Sequence, residues 1–229
     1  MPEPLHATRF PGESDEYRNA RDRLLRAEIE LRRAEEAVAA ERRSLPLGGE
    51  VTAEYVFESK AGPMTLAELF GDGRDTLFLY SFMFIREGDD PLGSPCPSCT
   101  SIVDAVDGEA QHLQQRIAVA AAAKVPLNRF RDHGDRRGWQ HIELLSSAGS
   151  KYNADYHAEA PDGSQLPIAT VFVRRDGRIH HSWSSELLFA PTDAGQHPRH
   201  VDFMWPLWKI LDLTPEGRGT DWNPQLTYS

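Results

Sequence analysis

Two cysteines occur in the chain, and they stand together as Cys96-Pro97-Ser98-Cys99. A cysteine reacts as its thiolate, and a free thiol with a pKa of about 8.5 is only about 3% ionised at pH 7. Ahead of the pair, Thr76–Phe84 (TLFLYSFMF) is a nearly continuous apolar run, as in a strand covered on both faces. Behind it, Ile102, Val103, Val106, Ala110 and Leu113 fall on one face of a helix. Strand, loop, C-x-x-C and helix in that order set Cys96 at a helix N-terminus, where unpaired N–H groups and the dipole stabilise an anion. A pKa lowered to about 6.5 there would make roughly three quarters of Cys96 thiolate at neutral pH. Cys99, one turn into the helix, is shielded yet close enough to attack a mixed disulfide on Cys96. The spacing therefore offers an attacking thiol and a resolving thiol.

Two other readings stand beside this one. A C-x-x-C is also half of a zinc site, but the second C-x-x-C is missing. His197-x-x-His200 has ligand-like spacing far downstream, beside Pro198. His180 and His181 are neighbours on an expected strand, so they face opposite sides and suit one metal poorly. The remaining alternative is a pair of inert structural thiols. There is no G-x-S-x-G elbow, P-loop or H-E-x-x-H, and no completed dinucleotide fingerprint. No metal and no cofactor is expected.

The elements that must position the pair are legible as punctuation. From Ser14 to Arg43 the chain is rich in Glu, Arg and Ala and lacks Gly and Pro, with Ser14 as a plausible N-cap. Tyr17, Ala20, Leu24, Ala27, Leu31, Ala34 and Val38 form a narrow heptad stripe. This helix lies along its own domain or pairs with a second subunit in a homo-oligomer. Pro46, Gly48 and Gly49 end it. Beyond them, EYVFES reads as a strand, MTLAELFG as a short helix closed by Gly71, and IAVAAA as strand or buried helix. PLNRFRDHGDRRGW reads as a helix with Pro126 in its first turn, and HIELLS as a strand. Asp176-Gly177 between two alternating runs predicts a hairpin, and HVDFMWPLWKILDL is a final amphipathic segment. The fold class is α/β with a mixed sheet flanked by helices. The expected division is a helical arm (1–48), a main domain (49–213) and a polar tail (214–229).

Composition narrows the function. The 229 residues carry a net charge of −10, which opposes nucleic-acid and anionic-membrane partners. No apolar stretch reaches the roughly 18 residues of a membrane helix. The N-terminal residues lack a signal-peptide pattern, so a cytoplasmic protein is expected.

With these features in place, the chain resembles the thioredoxin superfamily. The resemblance rests on the buried strand, on Cys96-Pro97-Ser98-Cys99 opening a helix, and on Pro167 before the strand IATVFV and its Asp-Gly hairpin. It implies a thioredoxin-like domain in which Pro167 is cis and packs beside the dithiol. More closely, the chain resembles an uncharacterised bacterial family of predicted thioredoxin-like dithiol–disulfide oxidoreductases. That match rests on the charged N-terminal helix, SFMF before the cysteines, Gly138-Trp139, and LDLTPEGR from Leu211 to Arg218.

The departures are informative. The segment from Ile85 to Pro95 is longer than in thioredoxin, no Trp precedes Cys96, and proline is the first residue between the cysteines. The strand carries no Asp where thioredoxin has a buried acid, which leaves Glu87, Asp89 or Asp90 as substitutes. Such charges near Cys96 would raise its pKa. The differences favour a specialised or slow enzyme over a general reductase.

The expected function is thiol–disulfide exchange. Cys96 attacks a protein or small-molecule disulfide, Cys99 resolves it, Pro167 shapes the contact, and an external thiol reductant restores the dithiol. A peroxidase of peroxiredoxin type is opposed by Asp89 and Gly93, which stand where that group has Pro and Thr. A non-enzymatic scaffold is the third reading, with the heptad arm and Phe203, Trp205 and Trp208 serving assembly, unless those aromatics pack under the sheet as core. Tyr152, Tyr156 and His157 either line a pocket near the dithiol or are structural aromatics.

Overall fold

The computed structural model describes residues 5–86, 90–194, 196, 198–219 and 222–228. By packing, the chain divides into two units, Met1–Pro46 and Leu47–Ser229.

The first unit is dominated by α1 (Asp15–Ser44). Ser14 caps it by accepting the Tyr17 N–H at 3.1 Å. Asp15 and Glu16 lie in its first turn and Arg42 and Arg43 in its last, the charge order that the helix dipole favours. Along the heptad stripe, Tyr17, Leu24, Leu31 and Val38 are between 48% and 59% exposed.

The second unit is built on a seven-stranded sheet. A hairpin of β1 (Val56–Ser59) and β2 (Gly62–Thr65) starts it. The helix expected over MTLAELFG is shorter, because Met64 and Thr65 pair with Phe57 and Val56 and only Glu68–Phe70 form a 3₁₀ turn. The Glu68 carboxylate accepts the Thr65 N–H (2.7 Å) and hydroxyl (2.8 Å), which fixes the strand-to-turn junction.

Next come β3 (Thr76–Phe82), the short β4 (Phe84–Ile85) and β5 (Ser94–Pro95), then α2 (Pro97–Leu113). They are followed by β6 (Ala118–Ala123), α3 (Leu127–Arg137), β7 (Glu143–Ser146) and α4 (Tyr152–Asp155). Strands β8 (Ala169–Arg175) and β9 (Arg178–Ser184) form the expected hairpin, with Asp176 and Gly177 both at positive φ (51° and 76°). The final amphipathic segment is not one helix. Asp202–Met204 make a 3₁₀ turn and α5 (Pro206–Leu211) starts afresh, since Pro206 has no N–H to continue a helix.

The sheet order is β2-β1-β7-β6-β3-β8-β9. β3 is parallel to β6 and antiparallel to β8, so it is central and hydrogen-bonded on both sides. The strand-or-helix question at IAVAAA resolves to β6, whose residues are all buried. Val119, Ala121 and Ala123 face one apolar cluster while Ala118, Ala120 and Ala122 face the other. β3 divides likewise: Tyr80 and Phe82 point to the α2 and α3 side, Leu77 and Leu79 to the opposite side. A mixed sheet with α2 following its central strand, and an antiparallel hairpin at one edge, is a thioredoxin-like α/β fold. Among the described residues no helix is long and apolar enough to cross a membrane.

One carboxylate fastens α2 to this frame. Asp107, buried on α2, accepts the N–H groups of Gln140, His141 and Ile142 at 2.8–3.2 Å, holding the segment that leads into β7. Asp107→Ala removes a charged acceptor from three donors and should lower the unfolding free energy by about 3 kcal/mol. Urea unfolding checks this, and a loss below roughly 0.5 kcal/mol would mean that those N–H groups are satisfied by water.

Candidate functional site

The dithiol sits where β3 hands the chain to α2. Beyond β3, the two ends of the long segment before the cysteines form an antiparallel pair, with Phe84 opposite Pro95 and Ile85 opposite Ser94. Gly93 permits the return: its φ is +74°, and a Cβ there would lie 2.4 Å from the Ile85 carbonyl oxygen. Arg129 of α3 holds this segment from outside through the Asp90 carboxylate and the Gly93 carbonyl. The Cys96 N–H then donates to the Met83 carbonyl at 3.1 Å, joining the start of α2 to the end of β3.

Cys96 is the N-cap of α2, and Pro97 takes the first helical position, where a missing N–H costs nothing. Its sulfur accepts the Cys99 N–H at 3.4 Å. The Cys99 thiol, then the N–H groups of Cys99 and Ser98, pull Cys96 down to about 7 against the opposing effect of burial. Cys99 moves the other way. Burial, and the Cys96 charge beside it, push its thiol well above the ordinary range. Both thiols are unbridged and nearly inaccessible, at 3% and 1% exposure.

Behind the pair lies a second polar chain. The Thr100 hydroxyl donates to the Cys96 carbonyl (2.9 Å) and meets His133 Nε2 of α3 (2.9 Å). Because the hydroxyl proton is committed to the Cys96 carbonyl, the contact with the ring is completed by a proton on His133 Nε2. Burial first, then the Arg136 and Arg137 charges, lower His133 to about 4, with Asp104 opposing. Its ring packs against Phe82 and edge-on against Trp139.

Pro167 lies at the same end of the sheet. The Ser81 N–H donates to the Ile168 carbonyl at 2.9 Å, and Pro167 is one residue beyond. The bond Leu166–Pro167 is trans, as are the other described peptide bonds, which corrects the cis geometry implied by the resemblance. The Pro167 carbonyl is engaged by His200 Nε2 at 2.6 Å.

Other expected residues are not gathered here. His180 Nδ1 meets the Gly48 carbonyl and His181 Nε2 meets Ser184, so the two histidines face apart. His197, Glu87 and Asp89 lie outside the described residues. Asp90 is exposed and paired with Arg129, with its carboxyl below the usual range through the Leu92 N–H and that arginine. Among the described residues no three His, Cys, Asp or Glu side chains cluster as metal ligands. Tyr152 and Tyr156 stack on each other (5.2 Å) in the cluster on the opposite sheet face, and His157 packs edge-on to Phe189. They are structural aromatics.

Several neighbours of the dithiol were not anticipated. The Tyr80 hydroxyl donates to the Cys99 sulfur at 3.3 Å. A phenol inside a buried apolar run must find a partner for its hydroxyl, and that was the available signal. Trp205 is buried against α2 and donates from Nε1 to Ser101 Oγ at 3.0 Å. Trp208 is buried beside it, whereas Phe203 is about half exposed. Along α2, a cleft of about 460 Å³ is lined by Pro97, Ser101, Asp104, Leu207, Trp222 and Tyr228, among others.

Fold and site together define a thioredoxin-like α/β protein carrying a dithiol at a helix N-terminus. Residues 7–228 match the family described as "Bacterial protein of unknown function (DUF899)", and the chain belongs to that family. Solved structures similar to it include the peroxidoxin BcpB from Mycobacterium tuberculosis, with TM-score 0.44 and 16% identity over 73% of this chain and 98% of that one. Another is the exposed lipoprotein thioredoxin Etrx1 from Streptococcus pneumoniae (TM-score 0.43, 11% identity, 68% and 99% covered). A third is a putative thiol:disulfide interchange protein DsbE from Chlorobium tepidum (0.40, 13%, 60% and 86%). No curated protein matches the chain.

His133 yields a pH prediction. Its pKa is about 4 folded, against about 6.5 in an unfolded chain. Between those values the unfolded chain binds the extra proton, so stability falls as pH drops through the window. Urea unfolding at pH 7 and pH 4.5 should show a fall about 2 kcal/mol larger in the wild type than in His133→Asn. Equal falls would mean that His133 protonates freely in the folded protein.

Proposed function

We propose that this protein is a thiol–disulfide oxidoreductase, with Cys96 as the attacking thiolate and Cys99 as the resolving thiol. The observation that carries this reading is the inequality of two identical side chains three residues apart. Cys96 caps a helix and titrates near neutrality, while Cys99 is buried and held protonated. A nucleophile must be ionised at working pH, and a resolving thiol must stay quiet until a mixed disulfide forms beside it.

The reaction balances as follows. The Cys96 thiolate attacks one sulfur of a protein or small-molecule disulfide, and the displaced thiolate takes a proton. Cys99 loses its proton and attacks the Cys96 sulfur, releasing the second substrate thiol and closing a Cys96–Cys99 disulfide. Two electrons pass from the dithiol to the substrate, and an external thiol reductant returns them. Pro167, just ahead of β8, has no N–H to donate and shapes the surface that meets the substrate. A cytoplasmic setting, where glutathione keeps thiols reduced, suits such a cycle.

The burial of both sulfurs favours a second reading, a non-enzymatic scaffold. Titration against glutathione buffers, followed by alkylation and mass with metal content checked on the same sample, separates the two. Exchange predicts a reversible two-electron transition in metal-free protein, its loss in Cys96→Ser, and a trapped mixed disulfide in Cys99→Ser. Thiols that stay reduced in every buffer would leave the scaffold. Alkylation of Cys96 should also rise about tenfold between pH 6 and pH 8, with its midpoint near 7.

A further inference from the structure

The resolving step poses a problem that the dithiol does not solve alone. Cys99 must become anionic in a site that penalises charge, and its attack on Cys96 is slow until it does. What surrounds its sulfur is sparse. There is Cys96 at the cap of α2, the Tyr80 hydroxyl from β3, and the Met83 N–H just past β3. α3 contributes His133, which is spent on Thr100 rather than on the sulfur. On either side of Tyr80 in the sheet stand Ala121 of β6 and Ala169 of β8, which carry no polar group.

Tyr80 itself is fully buried. Phenylalanine would fill the same space without a hydroxyl to desolvate, so the hydroxyl is worth keeping only for what it does at Cys99. A thiol sulfur is a weak acceptor, whereas a thiolate takes a charge-assisted hydrogen bond about twice as strong as a neutral one. The contact therefore tightens as Cys99 ionises, and an interaction that grows toward the transition state lowers the barrier.

We propose that Tyr80 is a catalytic residue of the resolving step, its hydroxyl donating to the Cys99 sulfur as that sulfur becomes anionic. This rests on the thiol–disulfide exchange reading above. Tyr80 keeps its own proton throughout, since burial, and the neighbouring thiols after it, push its phenol well above the ordinary range. It is a donor and not a base. The Cys99 proton leaves with the departing substrate thiolate, which becomes the second product thiol.

A dipyridyl disulfide tests this on the whole protein, because each thiopyridone released is a separate absorbance step. The first phase reports attack by Cys96 and the second reports closure by Cys99. Tyr80→Phe should leave the first phase unchanged and slow the second roughly tenfold to hundredfold, the range for a hydrogen bond to a charged group. The pH midpoint of the second phase should rise by about one unit. An unchanged second phase, or equal slowing of both phases with no shift in midpoint, would overturn the role of Tyr80 alone. Silence in both phases of the wild type would overturn the exchange reading and this role with it. A melting temperature for Tyr80→Phe near that of the wild type confirms that the rates compare folded proteins.

Discussion

A backbone hydrogen bond from the Cys96 N–H to the Met83 carbonyl anchors the capped start of α2, where both thiols lie. It ties the helix N-terminus to the end of β3, whose register is locked by β6 on one side and β8 on the other. Side chains alternate along a strand, so a shift of one residue in β3 would turn Tyr80 to the opposite face and put Ser81 toward Cys99. The double pairing of β3 excludes that shift. The sulfurs thus meet a fixed set of partners rather than an average over alternatives.

Within that frame, position alone differentiates the two cysteines. Cys96 at the cap faces N–H groups that have no intrahelical partner, and an anion there satisfies them. Cys99, one turn on, has left the cap, and its sulfur meets the Tyr80 hydroxyl inside the apolar cluster that both cysteines join. The same burial that lets Cys99 rest as a thiol makes its ionisation costly, which is why a single hydroxyl donor beside it matters. Trp205 on Ser101 and His200 on Pro167 fasten the 200–208 region over the same end of the sheet, consistent with the low exposure of both sulfurs.

The long segment ahead of the cysteines shows how an unusual length can be absorbed. Its ends pair as β4 and β5, Gly93 approaches the Ile85 carbonyl, and the Cys96 N–H meets the Met83 carbonyl. Its acidic residue Asp90 is drawn outward by Arg129, away from the role that a missing strand carboxylate had suggested for it. The Asp90 charge, one of three that would have opposed the helix N-terminus, is thus paired with a cation at the surface.

The sequence by itself determined the order of the elements and the place of the two cysteines at the start of a helix. An apolar run followed by C-x-x-C and an amphipathic helix has little freedom, because the spacing of apolar residues sets the element type and the motif sets the cap. Asp176-Gly177 determined a hairpin for the same local reason. Elsewhere local pattern was overridden. MTLAELFG gave its first two residues to β2 once β1 offered them partners, and the final amphipathic segment broke at Pro206. The rest was decided only by the tertiary structure. That Tyr80 reaches Cys99, that His133 of α3 backs Thr100, and that Tyr152 and Tyr156 lie on the far side of the sheet are all consequences of register and face. Such contacts join residues 19 and 33 positions apart, and no periodicity carries their pairing; only packing the helices onto a twisted, registered sheet does.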